Sequence, residues 1–254
     1  MPLVYALLPN KSYATYNRLL SAIKNLQPQF NPEFWLTDFE VATIQAIRQN
    51  FPQTALTGCF FHMQQCIWRK IQNLGLTSAY KEADRKFALS AKSLTCLAFV
   101  PVGDVTSAFT QLIGSSDFDR RMEPVVDYFE EVWIGRQSAS GAREDPMFAI
   151  ELWNVLDRTT NNYGRTNNSV EGWHRRFNSI LQCSRPTIFK CINALKLEQK
   201  SNEDVIARLN VGQGGPPQKK TYRDTNKRIL DIVNSYNGEN LIRYLHGLAH
   251  NCGF

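Results

Sequence analysis

The first 62 residues constrain the fold most, because short apolar runs alternate there with helical patterns. Apolar runs at 3–8, 34–37 and 56–61 predict buried strands, and the segments between them carry apolar residues at helical spacing. A strand-helix-strand-helix-strand order is typical of an α/β domain with a parallel sheet. We therefore expect a parallel core whose strands end near Pro9, Asp38 and His62.

Beyond residue 62 the pattern becomes helical. Apolar spacing predicts helices over 62–74, 78–97, 105–113, 118–134, 147–156, 169–181, 186–209, 223–235 and 240–250, separated by Gly, Pro and Ser breaks. The predicted division is a partial α/β core at 1–62, a helical insertion at 63–160, a helix pair at 161–210, and a flexible break with C-terminal helices at 211–254.

Composition indicates a soluble globular protein. Of 254 residues, 43% are hydrophobic and 20% are charged, which favours a buried core over long disorder. No apolar run reaches the roughly 18 residues of a membrane-spanning helix, and the apolar start lacks the features of a signal peptide. We expect a protein that is not secreted, has no membrane partner and keeps its six cysteines reduced. The net charge of +6 permits a polyanionic partner without requiring one.

Asp38 and Glu171 are the acidic residues at the most informative positions. Asp38 follows a predicted strand, at the edge where ligands bind in open α/β sheets. It is equally well placed to cap the helix that follows. Glu171 lies three residues after Asn168, so a capping-box role is available and, from the residues alone, preferred. Gly172 is unusual at a helix start, and we expect it to allow the close approach of another backbone or a ligand.

Four segments resemble the MULE transposase domain of Mutator-like elements. They are Pro2 to Tyr16, Thr37-Asp38-Phe39-Glu40, Gly58-Cys59-Phe60-Phe61-His62-Met63-Gln64-Gln65, and Asn167-Asn168-Ser169-Val170-Glu171-Gly172-Trp173-His174. The region around Tyr244-Leu245 is also similar to that family. Their order and spacing, rather than any single motif, carry the resemblance, which spans nearly the whole chain.

The resemblance implies a ribonuclease-H-like fold with a large helical insertion before the last carboxylate. It implies DNA cutting and joining with two Mg²⁺ or Mn²⁺ ions held by an Asp-Asp-Glu set, in which Asp38 is the second carboxylate and Glu171 the third. It also implies transposon-end DNA as the partner, possible homo-oligomers, and a nuclear location. A weak nuclear-localisation candidate lies within 219–228.

The first carboxylate of that set has no counterpart in this sequence. No aspartate occurs between Met1 and Thr37, and the one acidic residue there, Glu33, follows Pro32 in a predicted loop. We therefore expect an N-terminally truncated domain with an incomplete sheet that does not cleave DNA. The alternatives are a domesticated, non-catalytic module that binds DNA or a protein, and a helical structural protein in which Asp38 and Glu171 are only caps.

Histidines and basic residues supply the other candidates. His62 is expected beside the active-site edge, with Cys59 buried nearby, and His174 is a candidate phosphate contact. A tetrahedral zinc set of Cys59, His62, His246 and His250 has suitable ligand types, but zinc is the less favoured prediction. The DNA-backbone candidates, each of which could equally be an ordinary solvated cation, are Arg69, Lys70, Arg175, Arg176 and Arg185.

Overall fold

A computed structural model describes residues 2–166, 168–183, 185–213 and 220–253, and for residues 168, 169 and 171 it describes the backbone only. The protein is mixed α/β and mostly helical. It divides into two compact units. The smaller comprises residues 1–10 and 167–220, and the larger comprises 11–166 and 221–254. The boundaries predicted at 62, 160 and 210 remain predictions.

The larger unit begins with a small α/β layer. Helix α1 (Tyr13–Leu26) is capped by Ser12, whose hydroxyl accepts a hydrogen bond from the Thr15 amide. Strands β1 (Phe34–Thr37) and β2 (Ala55–Gly58) form a parallel two-stranded sheet in which Thr37 faces Gly58. Helix α2 (Val41–Asn50) connects them and packs on α1 through a small apolar cluster. That cluster contains Leu20, Ala46, Ile47 and Phe51.

The strand predicted at 3–8 is wrong. Residues 2–12 contain no strand, and Leu3, Val4 and Leu7 expose more than half of their surface. Among the described residues the sheet consists of β1 and β2 alone. Residues 3–8 therefore have no neighbouring strand with which their backbone N–H and C=O groups could form hydrogen bonds. Tyr5 anchors this segment instead, through a hydroxyl contact to Asn202 and a ring contact to Trp173 within the smaller unit. The parallel two-stranded sheet agrees with the predicted α/β class, whereas the incomplete ribonuclease-H-like sheet remains a prediction.

A helical assembly makes up the rest of the larger unit. Its helices are α3 (Phe60–Asn73), α4 (Thr77–Tyr80), α5 (Lys86–Cys96), α6 (Val105–Gly114), α7 (Glu123–Phe129), α8 (Ile150–Trp153), α9 (Leu156–Thr160), α12 (Lys220–Asn234, whose first residue is assigned to the smaller unit) and α13 (Leu241–Asn251). Short 3₁₀ turns cover 97–99, 102–104 and 120–122, and a π-helical turn covers 130–134. Trp133 and Trp153 are fully buried at the centre, where the Trp153 indole donates to the Trp133 carbonyl.

Two predicted helices are interrupted. The helix expected at 78–97 is split into α4 and α5 by a turn in which Arg85 adopts a positive φ of 54°. The helix expected at 147–156 is split into α8 and α9 by Asn154 and Val155. The sequence did not reveal either break, because residues 81–86 and 153–156 contain no Gly or Pro that would mark one.

The smaller unit is built on two helices. They are α10 (Asn168–Leu181) and α11 (Ile188–Asn210), and α11 begins at Thr187, whose hydroxyl accepts from the Lys190 amide. Pro186 therefore precedes the cap instead of occupying the first helical turn. In the part of the chain that the structure describes, no helix has the length and hydropathy needed to span a membrane.

Candidate functional site

Asp38 lies at the carboxyl end of β1. It directly follows Thr37, the last residue of the strand, and just over half of its side chain is exposed (54%). The N-cap of α2 is Glu40, whose side chain accepts instead from the hydroxyls of Tyr16 at 3.0 Å and Thr43 at 3.4 Å. Glu40, and not Asp38, therefore occupies the N-cap position of α2, and the Asp38 carboxylate lies at the sheet edge.

His62 lies beside Asp38, as the sequence predicts. Its Nδ1 is 2.8 Å from Oδ1 of Asp38, and its side chain is mostly buried (17% exposed). This contact arises because β2 ends at Gly58 and α3 begins at Phe60, which places His62 in the first turn of α3. A carboxylate at Nδ1 orients an imidazole and fixes which ring nitrogen carries the proton.

Gly58 fixes the backbone of this edge. A Cβ atom built on Gly58 would lie 2.2 Å from Cζ of Phe39, the residue that follows Asp38. The Phe39 ring is held against Trp133, at 4.7 Å between centroids, and against Phe148, at 5.1 Å. The absence of a side chain at Gly58 therefore allows Phe39 to pack into the core and sets the position of its neighbour Asp38.

Two arginines, one within α9 and one in the segment that follows it, approach the end of β2. Arg158 donates to the Gly58 carbonyl at 3.4 Å and to the Gly164 carbonyl. Arg165 donates to Oδ1 of Asn226 at 2.5 Å and lies over the Phe99 ring, while its own carbonyl accepts from the Phe60 amide. Burial lowers the pKa of both guanidinium groups, and their mutual repulsion lowers that of Arg158 further.

Neither arginine is paired with a carboxylate in the described part of the chain. Desolvating a cation without an opposing charge is costly, so this edge of the sheet favours an anion. Sequence reasoning missed both residues, because isolated arginines in a polar segment carry no periodic or motif signal.

The four residues of the predicted zinc set are not brought together. Cys59 is fully buried and is not disulfide-bonded, and His62 contacts Asp38. His246 and His250 lie on α13, where burial lowers the pKa of His246. Among the residues with described side chains, no three His, Cys, Asp or Glu residues are clustered closely enough to hold a metal ion.

Helix α10 carries Glu171, but the side chain of Glu171 lies outside the described residues. The same helix is fixed to α11 by Glu198, which is almost completely buried (2% exposed). Its Oε1 accepts from the Trp173 indole at 3.0 Å and from the Arg176 guanidinium. Gly172, expected to allow a close approach, has open space where a Cβ would stand.

Glu198 was not predicted from the sequence. The buried positions of α11 at Ala194, Glu198 and Asn202 recur every four residues, so a polar stripe faces α10. Sequence reasoning assumed that the buried face of a helix is apolar, and the larger apolar residues of α11, such as Phe189 and Leu197, are exposed instead.

The predicted DNA-contacting residues fall into two groups. Arg176 is not a free surface cation, because it is paired with Glu198. Arg69, His174, Arg175 and Arg185 are exposed. The ammonium group of Lys70 lies 5.3 Å from the centre of the Tyr128 ring.

Comparison with known families identifies the segment that contains Asp38 and His62. The family model of the MULE transposase domain matches residues 1–66. These residues are similar to that domain, and they are called the MULE segment below. The MULE segment includes both strands, Asp38, Gly58, Cys59 and His62, and it ends before Arg158 and Glu171. No curated protein and no solved structure matches the chain.

Proposed function

We propose that this chain is the nuclease-type part of a Mutator-like DNA transposase, with a ribonuclease-H-like core. The observation that carries the proposal is the position of Asp38: exposed, at the carboxyl end of a parallel strand, beside His62, and inside the MULE segment. Transposition chemistry acts on DNA, so DNA is the proposed partner, and a nuclear location and self-association belong to the same proposal.

In this proposal Asp38 and Glu171 hold divalent cations. Carboxylate oxygens are the ligands that Mg²⁺ and Mn²⁺ favour, and Asp38 offers one at an exposed edge. Bound at these residues, the ions would polarise a phosphodiester and activate an attacking hydroxyl. His62 would orient the Asp38 carboxylate. The described residues fit such a site only in part, because they supply Asp38 with a histidine neighbour instead of a carboxylate cluster.

Arg158 and Arg165 are proposed to contact the DNA backbone. Guanidinium groups bind phosphate through paired, charge-assisted hydrogen bonds. Because each arginine is partly desolvated and lacks a carboxylate partner, a phosphodiester near the end of β2 would supply the missing negative charge. The net charge of +6 would add long-range attraction that weakens as salt concentration rises.

The chain by itself is proposed to bind DNA without cleaving it. In a two-metal site one carboxylate commonly bridges both ions. Asp38 belongs to no cluster of three His, Cys, Asp or Glu residues among the described side chains. Asp38 and Glu171 alone would leave each ion with too few protein ligands for in-line attack. The second candidate function is a non-catalytic DNA-binding or protein-interaction module, in which Arg158 and Arg165 would bind an anion without a metal ion.

The proposal is tested by measuring duplex DNA binding and strand cleavage in parallel. We expect salt-dependent binding by fluorescence anisotropy and no nicked product in Mg²⁺ or Mn²⁺. Arg158→Gln with Arg165→Gln should weaken binding about tenfold, as expected when charged contacts are removed. Lys196→Gln with Lys200→Gln, which removes the same charge from exposed positions of α11, is the matched control.

Three results would contradict parts of this account. Absence of any DNA binding would reject DNA as the partner, and equal losses in both double variants would reject a specific role for the two arginines. Efficient cleavage by the unmodified chain that is abolished by Asp38→Asn would reject the inactive state while retaining the assignment of Asp38.

A further inference from the structure

A cavity away from the MULE segment has a strongly cationic lining. Its volume is about 340 Å³, and it lies within the larger unit between the end of α4, the first turns of α5 and the last turn of α13. Its lining residues are Tyr80, Lys81, Glu82, Arg85, Ala88, Leu89, Lys92, Ala249 and His250. A volume of this size lies within the range of small-ligand sites.

One face of α5 supplies the cationic wall. Arg85, Ala88, Leu89 and Lys92 stand at positions i, i+3, i+4 and i+7, which places them along a single side of the helix. Arg85 and Lys92 therefore mark the two ends of this wall, with the small Ala88 and the aliphatic Leu89 between them. Lys81 adds a third cation from the turn after α4.

Glu82, the acidic residue of the cavity lining, is paired with Arg121. Both carboxylate oxygens of Glu82 accept from Arg121, at 2.8 Å each, and these bonds lower the pKa of Glu82. In the described part of the chain, no ion pair involves Lys81, Arg85 or Lys92. The cavity consequently carries an excess of positive charge.

Arg85 has a left-handed backbone conformation, which is unusual for a residue other than glycine. Its φ of 54° is unfavourable for a residue with a Cβ. Arg85 is also the N-cap of α5, and its own side chain makes no capping bond. Oδ1 of the preceding Asp84 accepts from the Lys86 amide instead. Unfavourable local geometry of this kind is concentrated at ligand sites.

We propose that this cavity binds a phosphate group carried by a larger molecule. The three cations would surround the phosphate oxygens, and the phenol of Tyr80 with the Leu89 side chain would contact the attached group. The proposed source is either a phosphodiester of DNA or a free phosphate ester, since both present the same oxygens. The site uses neither Asp38 nor Glu171, so it stands independently of the proposed nuclease function.

The test is calorimetric titration of the full chain with inorganic phosphate. The wild-type chain should show saturable binding at one site. Lys81→Gln with Lys92→Gln should lower the affinity about tenfold, equivalent to about 1.4 kcal/mol. Lys196→Gln with Lys200→Gln removes the same charge from exposed positions of α11 and should leave the affinity unchanged. Unchanged thermal unfolding of each variant verifies that its fold is intact.

A second titration identifies the source of the phosphate. Displacement of inorganic phosphate by a short DNA duplex would support a DNA phosphodiester, and saturable phosphate binding without displacement would support a free phosphate ester. The proposal is overturned if the wild-type chain shows no saturable phosphate binding, or if both double variants bind phosphate equally. Neither result bears on cleavage, so failure here is distinguishable from failure of the transposase proposal.

Discussion

At the scale of single residues, the sequence predicted the residues at the sheet edge better than the buried charged residues around them. Asp38 and His62 were predicted at the ends of apolar segments, and the structure brings them to 2.8 Å. Glu198, Arg158 and Arg165 were not predicted, because their roles depend on tertiary burial and not on local pattern. The sequence around an isolated charged residue does not indicate whether its side chain is desolvated or exposed to solvent.

Glu198 gives a residue-scale prediction about stability. Arg176→Met should cost about 2–3 kcal/mol of unfolding free energy, because it leaves a buried carboxylate with the Trp173 indole as its remaining described donor. Glu198→Gln should cost less, about 1 kcal/mol, since the amide oxygen still accepts from Trp173. Urea unfolding measures both, with Lys196→Met on the exposed face as control. Equal effects of the two variants would contradict this asymmetry.

Arg121 gives a prediction about pH. Its hydrogen bonds hold the pKa of the buried Asp119 below the usual range. A depressed native pKa stabilises the fold fully above the unfolded value of about 3.9, and the stabilisation is lost as pH falls through the native value. Arg121→Gln should therefore destabilise the protein by about 1 kcal/mol at pH 7, a small figure because Arg121 is nearly half exposed.

The difference between wild type and Arg121→Gln should narrow below about pH 4, as Asp119 takes up its proton in both proteins. Urea unfolding across pH 2.5–7 measures it, and Arg243→Gln, an exposed cation of α13, serves as the charge-matched control. A difference that stays constant over the whole pH range would mean that Arg121 acts through packing and not through the Asp119 carboxylate.

At the scale of elements, local signals were sufficient where an element carries its own cap and apolar stripe. Helices α1, α2, α3, α10 and α11 and strand β1 lie close to their predicted positions. The strand prediction for residues 3–8 was wrong for a non-local reason, because an apolar run becomes a strand only when neighbouring strands pair with its backbone. The breaks near Arg85 and Val155 were missed because no Gly or Pro marks them in the sequence.

Gly58 provides the prediction at this scale. Gly58→Ala should destabilise the protein by about 1–3 kcal/mol, because the new methyl group would displace the Phe39 ring from Trp133 and Phe148. Gly172→Ala, in the open part of α10, should be neutral or stabilising by up to about 1 kcal/mol. Thermal and urea unfolding compare the two. Full tolerance of Gly58→Ala would show that Phe39 does not fix the position of Asp38.

At the scale of the whole molecule, the proposed site draws on two regions that are far apart in sequence. Asp38 lies in the MULE segment, and Glu171 lies on α10, 133 positions later. The intervening chain builds a helical core around Trp133 and Trp153, which the sequence predicted as an insertion. Periodicity predicts which segments are helical, but it contains no information on which carboxylates meet, because that depends on long-range packing.

The proposed function includes the claim that Asp38 and Glu171 act at one divalent-cation site, and intramolecular cross-linking tests this claim. Cysteines are introduced by Asp38→Cys and Glu171→Cys in a chain whose exposed or half-buried thiols, Cys66, Cys183 and Cys191, are replaced by serine. We predict that a short bismaleimide joins the two new cysteines within one molecule, as mass spectrometry of the linked peptides would detect, and that neither single variant gives this product. Complete labelling of both cysteines without any intramolecular link would contradict the claim.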